Sequence, residues 1–215
     1  MYFHRLINHK HMKGIKNIIF DLGGVFLNID FSKTEKAFIE LGVDQFSEMF
    51  TQHHSNDLFV DLETGSIRPE AFYEAFRKGT GTNLSDEVIK NAWNALLLDF
   101  RNPSLEWLEL IKNKYRIFLF SNTNKIHHDA FIESYRHQTG KGDFDAFFEK
   151  AYYSQNMGMR KPNPEPFLHI LKEQNLVAAE TLFIDDTIKN IETARSLGIQ
   201  TVHLQWPQTL PDLNL

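Results

Sequence analysis

Five short apolar runs are spaced widely along the chain, and each is nearly continuous in hydrophobic residues. They cover Ile15 to Phe20, Arg116 to Phe120, Phe147 to Tyr153, Thr181 to Ile184 and Gln200 to Leu204. Runs without regular polar alternation are typical of strands that are covered on both faces. The pattern therefore predicts five strands of a parallel sheet.

Helical segments lie between several of these runs, and their ends carry recognisable signals. One helix is predicted from Asn102-Pro103 to Lys114, a second begins at Asn163-Pro164, and Gly198 ends a third that follows Thr187. Proline in the first turn and glycine after the last turn are typical of helix ends. Alternating strands and helices need crossover connections, so the predicted fold class is α/β, with a Rossmann-like parallel sheet and helices on both faces.

The segment from Phe31 to Phe100 interrupts the alternation, because helical patterns dominate it and no strand is evident. A capping box at Ser32-Lys-Thr-Glu35 and a proline at Pro69 predict two helix starts. Ser85 predicts a third start, for a helix ending near Leu98. An insert of this size forms a small subdomain, and it would cover the carboxyl ends of the strands, where open parallel sheets bind ligands.

The chain divides around this insert. Met12 begins the run that leads into the first strand, so the residues before it form an extension without a predicted function. The predicted parts are an N-terminal extension (1–11), a catalytic core (12–30 and 101–215) and an all-helical cap (31–100).

Composition narrows the possible functions. The 215 residues contain no cysteine, which excludes disulfides, thiolate metal sites and a cysteine nucleophile. The net charge of -5 argues against a nucleic-acid partner, and no apolar run is long enough to cross a membrane. The N-terminus lacks the pattern of a secretory signal. We therefore expect a cytoplasmic protein whose partner is a small molecule; the oligomeric state is left open.

Polar residues end three of the predicted strands, and a lysine precedes one of the predicted helices. The groups are Asp21 with Gly23 and Gly24, Ser121 with Asn122, Lys161, and Asp185 with Asp186. Each has a simple structural interpretation as a turn residue, a helix cap or a surface lysine. Two adjacent carboxylates at the end of a buried strand, however, repel each other unless a cation lies beside them, which favours a divalent ion with oxygen ligands.

These four groups, in this order, resemble the motifs of the haloacid dehalogenase (HAD) superfamily of hydrolases. The resemblance extends from Ile15 to Leu204, and the position of the insert is similar to that in members with an all-helical cap. The phrase Leu62-Glu-Thr-Gly65-Ser-Ile67, followed by Glu70-Ala-Phe72, resembles a recurrent stretch of such caps. The phrase Asp21-Leu-Gly-Gly-Val25 is similar to that of a subgroup that includes sugar-1-phosphate phosphatases.

The resemblance implies a role for each group. Asp21 would be the nucleophile that forms an aspartyl-phosphate, and Lys161 would neutralise negative charge beside it. Ser121, the Asn122 amide and the Gly23 backbone would lie against the phosphoryl group. Mg²⁺ would be held by Asp21, the Gly23 carbonyl and Asp186, with Asp185 acting through a water molecule and Asn190 bracing the loop.

One position departs from the family pattern, which has a second aspartate, the general acid and base, where this chain has Gly23. Possible replacements are His53-His54, His127-His128, Glu63 and Arg68. For each histidine pair a solvated helix position is the simpler interpretation, and Arg68 also fits a helix entry.

The resemblance predicts Mg²⁺-dependent hydrolysis of a small phosphomonoester, with a sugar phosphate as the first choice of substrate. A dehalogenase is an alternative, but it needs no metal and leaves the Asp185-Asp186 pair without a function. A catalytically weak protein that binds a phosphorylated metabolite is a second alternative, which Gly23 favours. A mutase would need the missing acid.

Overall fold

The computed structural model describes residues 14–51, 54–213 and 215, so the predicted extension (1–11) lies outside the described residues. The described strands are β1 (Asn17–Phe20), β2 (Leu27–Ile29), β3 (Phe50–Thr51), β4 (His54–Ser55), β5 (Leu97–Phe100), β6 (Arg116–Ser121), β7 (Lys150–Tyr153), β8 (Thr181–Asp185) and β9 (Gln200–His203). The described α-helices are α1 (Phe31–Glu40), α2 (Phe46–Met49), α3 (Asp57–Glu63), α4 (Pro69–Thr80), α5 (Asp86–Asn94), α6 (Asn102–Ile111), α7 (Lys125–Thr139), α8 (Ser154–Met157), α9 (Pro164–Glu173) and α10 (Ile188–Ser196). Within this part of the chain, no helix is both long and apolar enough to span a bilayer.

The five predicted strands form one parallel sheet in the order β7-β6-β1-β8-β9, which confirms the predicted fold class. Strand β1 lies at the centre, where Phe20 pairs with Leu119 of β6 and with Ile184 of β8. The run predicted from Phe147 is shorter, because a 3₁₀ turn occupies Asp145–Phe147 before β7 begins.

Both faces of the sheet are covered, which explains the absence of polar alternation in the strands. In β1, Ile18 and Phe20 point into one hydrophobic cluster, whereas Ile19 points into the cluster on the other face. Helices cover each face, as successive strand residues point to opposite sides. All three of these side chains are fully buried, so each contributes about 1.5–3 kcal/mol of burial free energy.

Helices α1 to α5 have a hydrophobic core of their own, and it is mainly aromatic. Phe38 stacks on Phe46 with 4.4 Å between ring centroids, and Phe50 meets Trp93 edge to face at 4.6 Å. Such pairs contribute about 0.5–1.5 kcal/mol beyond their buried area. The inserted segment is therefore packed around its own centre.

The structure corrects the prediction for the start of this insert. Helix α1 begins at Phe31, and its N-cap is Asp30, whose carboxylate accepts a hydrogen bond from the Ser32 N–H at 3.0 Å. The predicted capping box at Ser32-Glu35 was thus wrong. Both Asp and Ser are good caps, and the end of β2 at Ile29 places Asp30 first.

The prediction that no strand lies between Phe31 and Phe100 was also wrong. Strand β5 pairs antiparallel with β2, and β3 pairs antiparallel with β4. Helix α5 accordingly ends at Asn94, before the predicted end near Leu98. These strands have two to four residues, which is too short for alternation of polar and apolar residues to be visible.

The β2–β5 pair carries the chain into the insert and back out of it. The Asp30 N–H donates to the Leu96 carbonyl at 2.9 Å, and the Arg101 N–H donates to the Phe26 carbonyl at 2.7 Å. Strand β2 follows β1 by a few residues, so both connections leave from the edge at which β1 ends. The inserted helices are therefore attached at the carboxyl edge of the sheet.

Candidate active site

Three neighbouring strands bring the predicted polar groups together. Asp21 follows β1, Ser121 ends β6 and Asp185 ends β8, and β1 lies between the other two strands. The Asp21 N–H donates to the Ile184 carbonyl at 2.9 Å, which extends the β1–β8 ladder by one residue. The carboxylate is therefore held by the rigid centre of the sheet rather than by a mobile loop.

Lys161 is the cation that contacts the aspartates of this site. Its Nζ donates to Asp21 Oδ1 and to Asp185 Oδ2, each at 2.8 Å, and to the Phe120 carbonyl at 2.9 Å. Burial alone would lower the pKa of Lys161, but the carboxylates of Asp185 and Asp21 outweigh burial and raise its pKa. Since only 1% of its side chain is exposed, the interpretation as a surface lysine is wrong.

Asn122 fixes the backbone at Lys161. Its Nδ2 donates to the Lys161 carbonyl and its Oδ1 accepts from the Lys161 N–H, both at 2.9 Å. The two polar atoms of the Asn122 side chain are thus used within the protein. The part of Asn122 that could bind a ligand is its backbone N–H, which follows the buried Ser121 in the chain.

Asp185 and Asp186 have different surroundings although they are adjacent. Asp185 is fully buried, and its oxygens accept hydrogen bonds from Lys161, from Asn190 Nδ2 at 3.0 and 3.1 Å, and from the Thr187 N–H at 2.7 Å. Asp186 is partly exposed, and its Oδ1 accepts from the Thr187 hydroxyl at 3.1 Å. Among the described residues, the other carboxylate oxygen of Asp186 has no hydrogen-bond donor and can bind a ligand, whereas both oxygens of Asp185 accept hydrogen bonds. Asn190 Nδ2 holds both carboxylate oxygens of Asp185.

The three aspartates Asp21, Asp185 and Asp186 form a cluster in which one carboxylate oxygen of each lies within 4.8 Å of the others. Burial raises the pKa of Asp21 to about 7; Lys161 opposes this rise, and Asp185 and Asp186 add to it. Burial, with the neighbouring Asp185, also raises the pKa of Asp186. Crowded carboxylates of this kind are stabilised by a hard divalent cation with oxygen ligands, and the residues present fit Mg²⁺.

Two glycines follow Asp21 and Leu22, and a side chain would have different consequences at the two positions. Gly24 has φ +68°, and a Cβ there would lie 2.4 Å from Asp186 Oδ2. A Cβ on Gly23 would lie 2.9 Å from Ile29 Cδ1, the end of a flexible side chain. Arg101 donates to the Gly24 carbonyl and, at 2.6 Å, to Asn28 Oδ1. Only Gly24 is thus required for the close approach of Asp186.

A cavity of about 390 Å³ opens from these groups towards the inserted helices. Its walls include all of the predicted site residues except the buried Asp185. The insert contributes Phe31, Phe50, Thr51, His54, Ser55 and Glu63, and the core also contributes Ile29, Arg160 and Lys189. The cavity therefore lies between the carboxyl edge of the sheet and the insert.

Some of the possible replacements for the missing acid line this cavity, and others do not. Glu63 and His54 line it, whereas Arg68 lines a different cleft. His53 lies outside the described residues. Glu63 is buried, which raises the pKa of its carboxyl group although Arg160 opposes the rise.

His127 and His128 do not line this cavity either. His127 is buried, with its ring stacked on Trp93 at 4.4 Å, its Nδ1 3.1 Å from Asn124 Nδ2 and its Nε2 3.1 Å from the Trp93 carbonyl. The interpretation of His127 as a solvated residue was wrong. His128 is half-buried against Tyr153, with 4.8 Å between ring centroids.

Sequence reasoning missed Arg160 and Lys189 as parts of the cavity wall and, of the β3–β4 pair, expected only His54. Arg160 precedes Lys161 directly, which was the one available signal for it. Lys189 lies in the first turn of α10 and directly precedes Asn190, which was the signal for it. The β3–β4 pair reaches the cavity through the packing of the insert on the core, which local patterns do not predict.

Comparison with known proteins agrees with this geometry. The model of the haloacid dehalogenase-like hydrolase family matches residues 15–198, and the chain belongs to this family. The chain is 32% identical to a D-ribitol-5-phosphate phosphatase of Bacteroides thetaiotaomicron, over 87% of this chain and 90% of that protein. It is 28% identical to a sesquiterpene phosphatase of Aspergillus oryzae, over 88% of this chain and 89% of that protein.

A solved structure extends the similarity to the fold. A HAD family enzyme from Bacteroides thetaiotaomicron, crystallised with magnesium and inorganic phosphate, has a TM-score of 0.84 and 34% sequence identity. The match covers 93% of this chain and 99% of that chain. The resemblance to the HAD superfamily, which the four motifs indicated, is thereby confirmed.

Proposed function

We propose that this hydrolase is a Mg²⁺-dependent phosphatase that acts on a small phosphomonoester through an aspartyl-phosphate on Asp21. The observation that carries the proposal is the position of Lys161, which bridges Asp21 and Asp185 at the inner end of the cavity. A buried cation beside a buried carboxylate lets that carboxylate approach a phosphate dianion with less electrostatic repulsion.

The chemistry runs in two displacements at phosphorus. An oxygen of Asp21 forms a bond to phosphorus while the bond to the leaving oxygen breaks. The leaving oxygen takes a proton from solvent, since Gly23 carries no acid. Water then attacks phosphorus and loses a proton while the bond from phosphorus to the Asp21 oxygen breaks, which releases phosphate and restores the Asp21 carboxylate. The Ser121 hydroxyl and the Asn122 N–H hold the other phosphoryl oxygens, and Lys161 offsets their negative charge.

The metal ligands in this proposal are Asp21, Asp186 and the Gly23 carbonyl. The bound Mg²⁺ would supply positive charge to the phosphoryl oxygens and orient them. Asp185, whose oxygens are already hydrogen-bonded, would act on the ion through a water molecule, and its hydrogen bond with Lys161 holds that side chain in place. Gly24 leaves the space that Asp186 needs.

The insert acts as a cap in this proposal. Residues 31–100 form the cap, and residues 12–30 and 101–215 form the catalytic core. The cap supplies one wall of the cavity, so its closure would exclude bulk water during phosphoryl transfer. The β2–β5 pair would be the connection about which the cap opens and closes.

The alternatives lack comparable support. A dehalogenase leaves the crowded carboxylates of Asp21, Asp185 and Asp186 without a cation to bind. A protein that only binds phosphorylated metabolites does not need Asp21 and Lys161 in hydrogen-bond contact at 2.8 Å. A mutase needs an acid at Gly23 to return the phosphoryl group.

The substrate class follows from the outer wall of the cavity. The two relatives described above act on a sugar-alcohol phosphate and on a sesquiterpene phosphate, which differ in polarity. Glu63, Arg160 and Ser55 place charged and hydroxyl groups where the leaving group would lie. Burial of an apolar chain against a charged pair is unfavourable, so a phosphorylated sugar or sugar alcohol of the cytoplasm fits better.

The test of this proposal is hydrolysis of an activated aryl phosphate with and without Mg²⁺, in wild type and in Asp21→Asn. Wild type is expected to require Mg²⁺, and the variant is expected to show only background activity, because the amide is neither a nucleophile nor a good metal ligand. Turnover in Asp21→Asn well above background, or Mg²⁺-independent turnover in wild type, would contradict the proposal.

A further inference from the structure

Arg101 lies where the chain leaves the insert and returns to the core. It directly follows β5, and its N–H donates to the Phe26 carbonyl, just before β2. Arg101 also precedes α6, but its side chain makes no capping hydrogen bond to that helix. The backbone of Arg101 thus joins the two connections of the insert, and its guanidinium is left to serve another group.

The guanidinium of Arg101 reaches the turn that follows Asp21. Its Nη1 donates to the Gly24 carbonyl, and its Nε donates to Asn28 Oδ1 at 2.6 Å. Asn28 of β2 donates in turn to Asp99 Oδ1 of β5 at 3.3 Å. Because a planar guanidinium that serves two acceptors is held in one orientation, the strand pair β2–β5 fixes the donor that Gly24 receives.

The Gly24 carbonyl depends on this side chain. The turn closes through its own backbone elsewhere, since the Gly24 N–H donates to the Leu27 carbonyl at 2.9 Å and the Leu27 N–H donates to the Leu22 carbonyl at 3.0 Å. Among the residues that the structure describes, no backbone N–H donates to the Gly24 carbonyl, and Arg101 is its donor. Loss of Arg101 would therefore leave one side of the turn unsupported.

The position of Gly24 affects two of the proposed metal ligands. Gly24 shares a peptide bond with the Gly23 carbonyl, and a Cβ on Gly24 would lie 2.4 Å from Asp186 Oδ2. Burial lowers the pKa of Arg101, and the negative charges of Asp186 and Asp99 oppose that shift, so the guanidinium faces the metal site. Arg101 does not line the cavity, so it reaches the site through Gly24 and not by touching the substrate.

We infer that Arg101 is a positioning residue, which holds the turn at Gly24 in the geometry that binds Mg²⁺. The inference rests on the proposed phosphatase function and deepens it, because it assigns part of the metal affinity to a residue outside the cavity. An effect of charge alone has the opposite sign. A guanidinium that acted only through its charge would repel Mg²⁺, so its removal would strengthen Mg²⁺ binding.

The experiment is calorimetric titration of Mg²⁺ into wild type and two variants, without substrate. Residues that orient metal ligands typically contribute 10- to 100-fold to metal affinity, so Arg101→Met is expected to bind Mg²⁺ about 10- to 100-fold more weakly. Arg101→Lys keeps the charge but lacks the rigid fork that serves Gly24 and Asn28 together. Its affinity is expected to lie between those of wild type and Arg101→Met.

Hydrolysis of an activated aryl phosphate separates a positioning role from a role in the chemistry. The activity of Arg101→Met is expected to recover as the Mg²⁺ concentration is raised, with kcat close to that of wild type at saturation. The physical reason is that Arg101 does not touch the reacting atoms. A kcat that stays low at saturating Mg²⁺ would contradict the positioning role.

A matched control lies at the opposite edge of the sheet. Arg116 is exposed at the start of β6, where its Nη1 donates to the Gln174 carbonyl at 3.0 Å and its Nη2 lies 2.8 Å from Glu149 Oε2. Arg116→Met therefore also removes an arginine that holds a backbone carbonyl and a side chain. Its Mg²⁺ affinity is expected to equal that of wild type, and thermal midpoints of all variants measure any general loss of stability.

Asn28→Ala tests the same role without removing the guanidinium. The variant deprives Arg101 Nε of its acceptor, so a smaller fall in Mg²⁺ affinity is expected, in the same direction as for Arg101→Met. This variant also decides the inference if Arg101→Met does not fold. An affinity equal to that of wild type would then overturn it.

Hydrogen exchange in the metal-free protein provides a measurement that depends neither on Mg²⁺ nor on turnover. Arg101→Met is expected to speed exchange of the Gly24 and Leu27 N–H groups, which close the turn, and Arg116→Met is expected to leave it unchanged. Unchanged exchange in Arg101→Met, or Mg²⁺ binding as strong as in wild type, would overturn the inference and leave the phosphatase function intact. If wild type neither binds Mg²⁺ nor hydrolyses a phosphate ester, the proposed function fails, and the exchange of the turn still decides whether Arg101 holds it.

Discussion

Asp185 and Asp186 show how two adjacent carboxylates acquire different roles from their neighbours. Asp185 is enclosed by Lys161, Asn190 and the Thr187 N–H, whereas Asp186 has one oxygen beside the bare backbone of Gly24. Removal of a partner from a buried ion pair costs about 3–5 kcal/mol. Asp185 is therefore mainly a support for Lys161, and Asp186 is the ligand.

This difference predicts opposite responses to two substitutions. Asp186→Asn is expected to weaken Mg²⁺ binding by at least about tenfold with little loss of stability, because a direct charged ligand is lost. Asp185→Asn is expected to lower the thermal midpoint more and the Mg²⁺ affinity less. Calorimetric Mg²⁺ titration and thermal unfolding of both variants check this, and equal effects on Mg²⁺ affinity would contradict the assignment.

Gly23 leaves the turn after Asp21 without an acid to protonate the leaving oxygen. General acid catalysis contributes about 10²–10⁴-fold, so rates should fall steeply from aryl and anomeric sugar phosphates to alkyl phosphates. Gly23→Asp is expected to flatten this series, since the added Cβ meets only the movable Cδ1 of Ile29. Gly23→Asn, of equal size and without the acid, is the control.

The measurement is the rate of hydrolysis along this series of leaving groups, under conditions in which phosphorylation of Asp21 limits the rate. A shallow dependence in wild type would mean that an acid is present elsewhere. Glu63 and His54 line the cavity and would then be the first residues to substitute.

At the scale of elements, the turn after α3 depends on a glycine that touches the core. Gly65 has φ +69°, and a Cβ there would lie 2.2 Å from the Gln155 carbonyl of α8. Gly65→Ala is expected to displace α3 from the core and to lower the free energy of unfolding by more than about 1 kcal/mol. Because Glu63 of α3 lines the cavity, the variant is also expected to have a higher KM for sugar phosphates. Gly81→Ala adds a Cβ at φ +68° with no neighbour within 4 Å, so it isolates the cost of the backbone angle from that of the contact. Equal unfolding free energies for the two variants would contradict the prediction.

Helix α7 contacts α5 through His127, whose ring stacks on Trp93. Burial lowers the pKa of His127 to about 4, from about 6.5 in the unfolded chain. Between these two values the unfolded chain binds a proton that the folded protein does not. The contribution of His127 to the free energy of unfolding is therefore fully present above about pH 6.5. It falls by roughly 3 kcal/mol as the pH falls to about 4.

Chemical denaturation at several pH values between these limits measures this contribution. His127→Asn is expected to reduce the loss of unfolding free energy on acidification, relative to wild type. His137→Asn, exposed on the same helix, is expected to retain the wild-type slope. A His127→Asn slope equal to that of wild type would show that the buried ring does not couple stability to pH.

At the scale of the molecule, the sheet and the inner end of the cavity could be predicted from the sequence. Buried parallel strands are continuous apolar runs, and their carboxyl ends lie at one edge, so the residues that follow β1, β6 and β8 had to meet. The outer wall could be predicted only in part. Glu63 and His54 were expected near the site and line the cavity, whereas Arg160 was not expected there. Glu63 and Arg160 are 97 positions apart in the sequence, and the packing of the insert on the core brings Glu63 Oε2 and Arg160 Nη2 to 2.9 Å.

The predictions that were wrong, the absence of strands in the insert and a solvated His127, failed because they also depend on contacts between distant parts of the chain. Strands β2 and β5 are short, and they exist because the two connections to the insert lie side by side. His127 has the polar sequence context of a surface residue, and the aromatic core of the insert buries it. Local patterns specify elements, whereas contacts between the insert and the core specify these features.

The central claim is that Asp21 carries the phosphoryl group during turnover. The most direct measurement is mass spectrometry of peptides from the enzyme, acid-quenched while it hydrolyses acetyl phosphate with Mg²⁺ present. The account predicts the mass of one added phosphoryl group on the peptide that contains Asp21, and no such peptide in Asp21→Asn. A phosphoryl group on another residue, or continued turnover with no phosphorylated peptide, would contradict it.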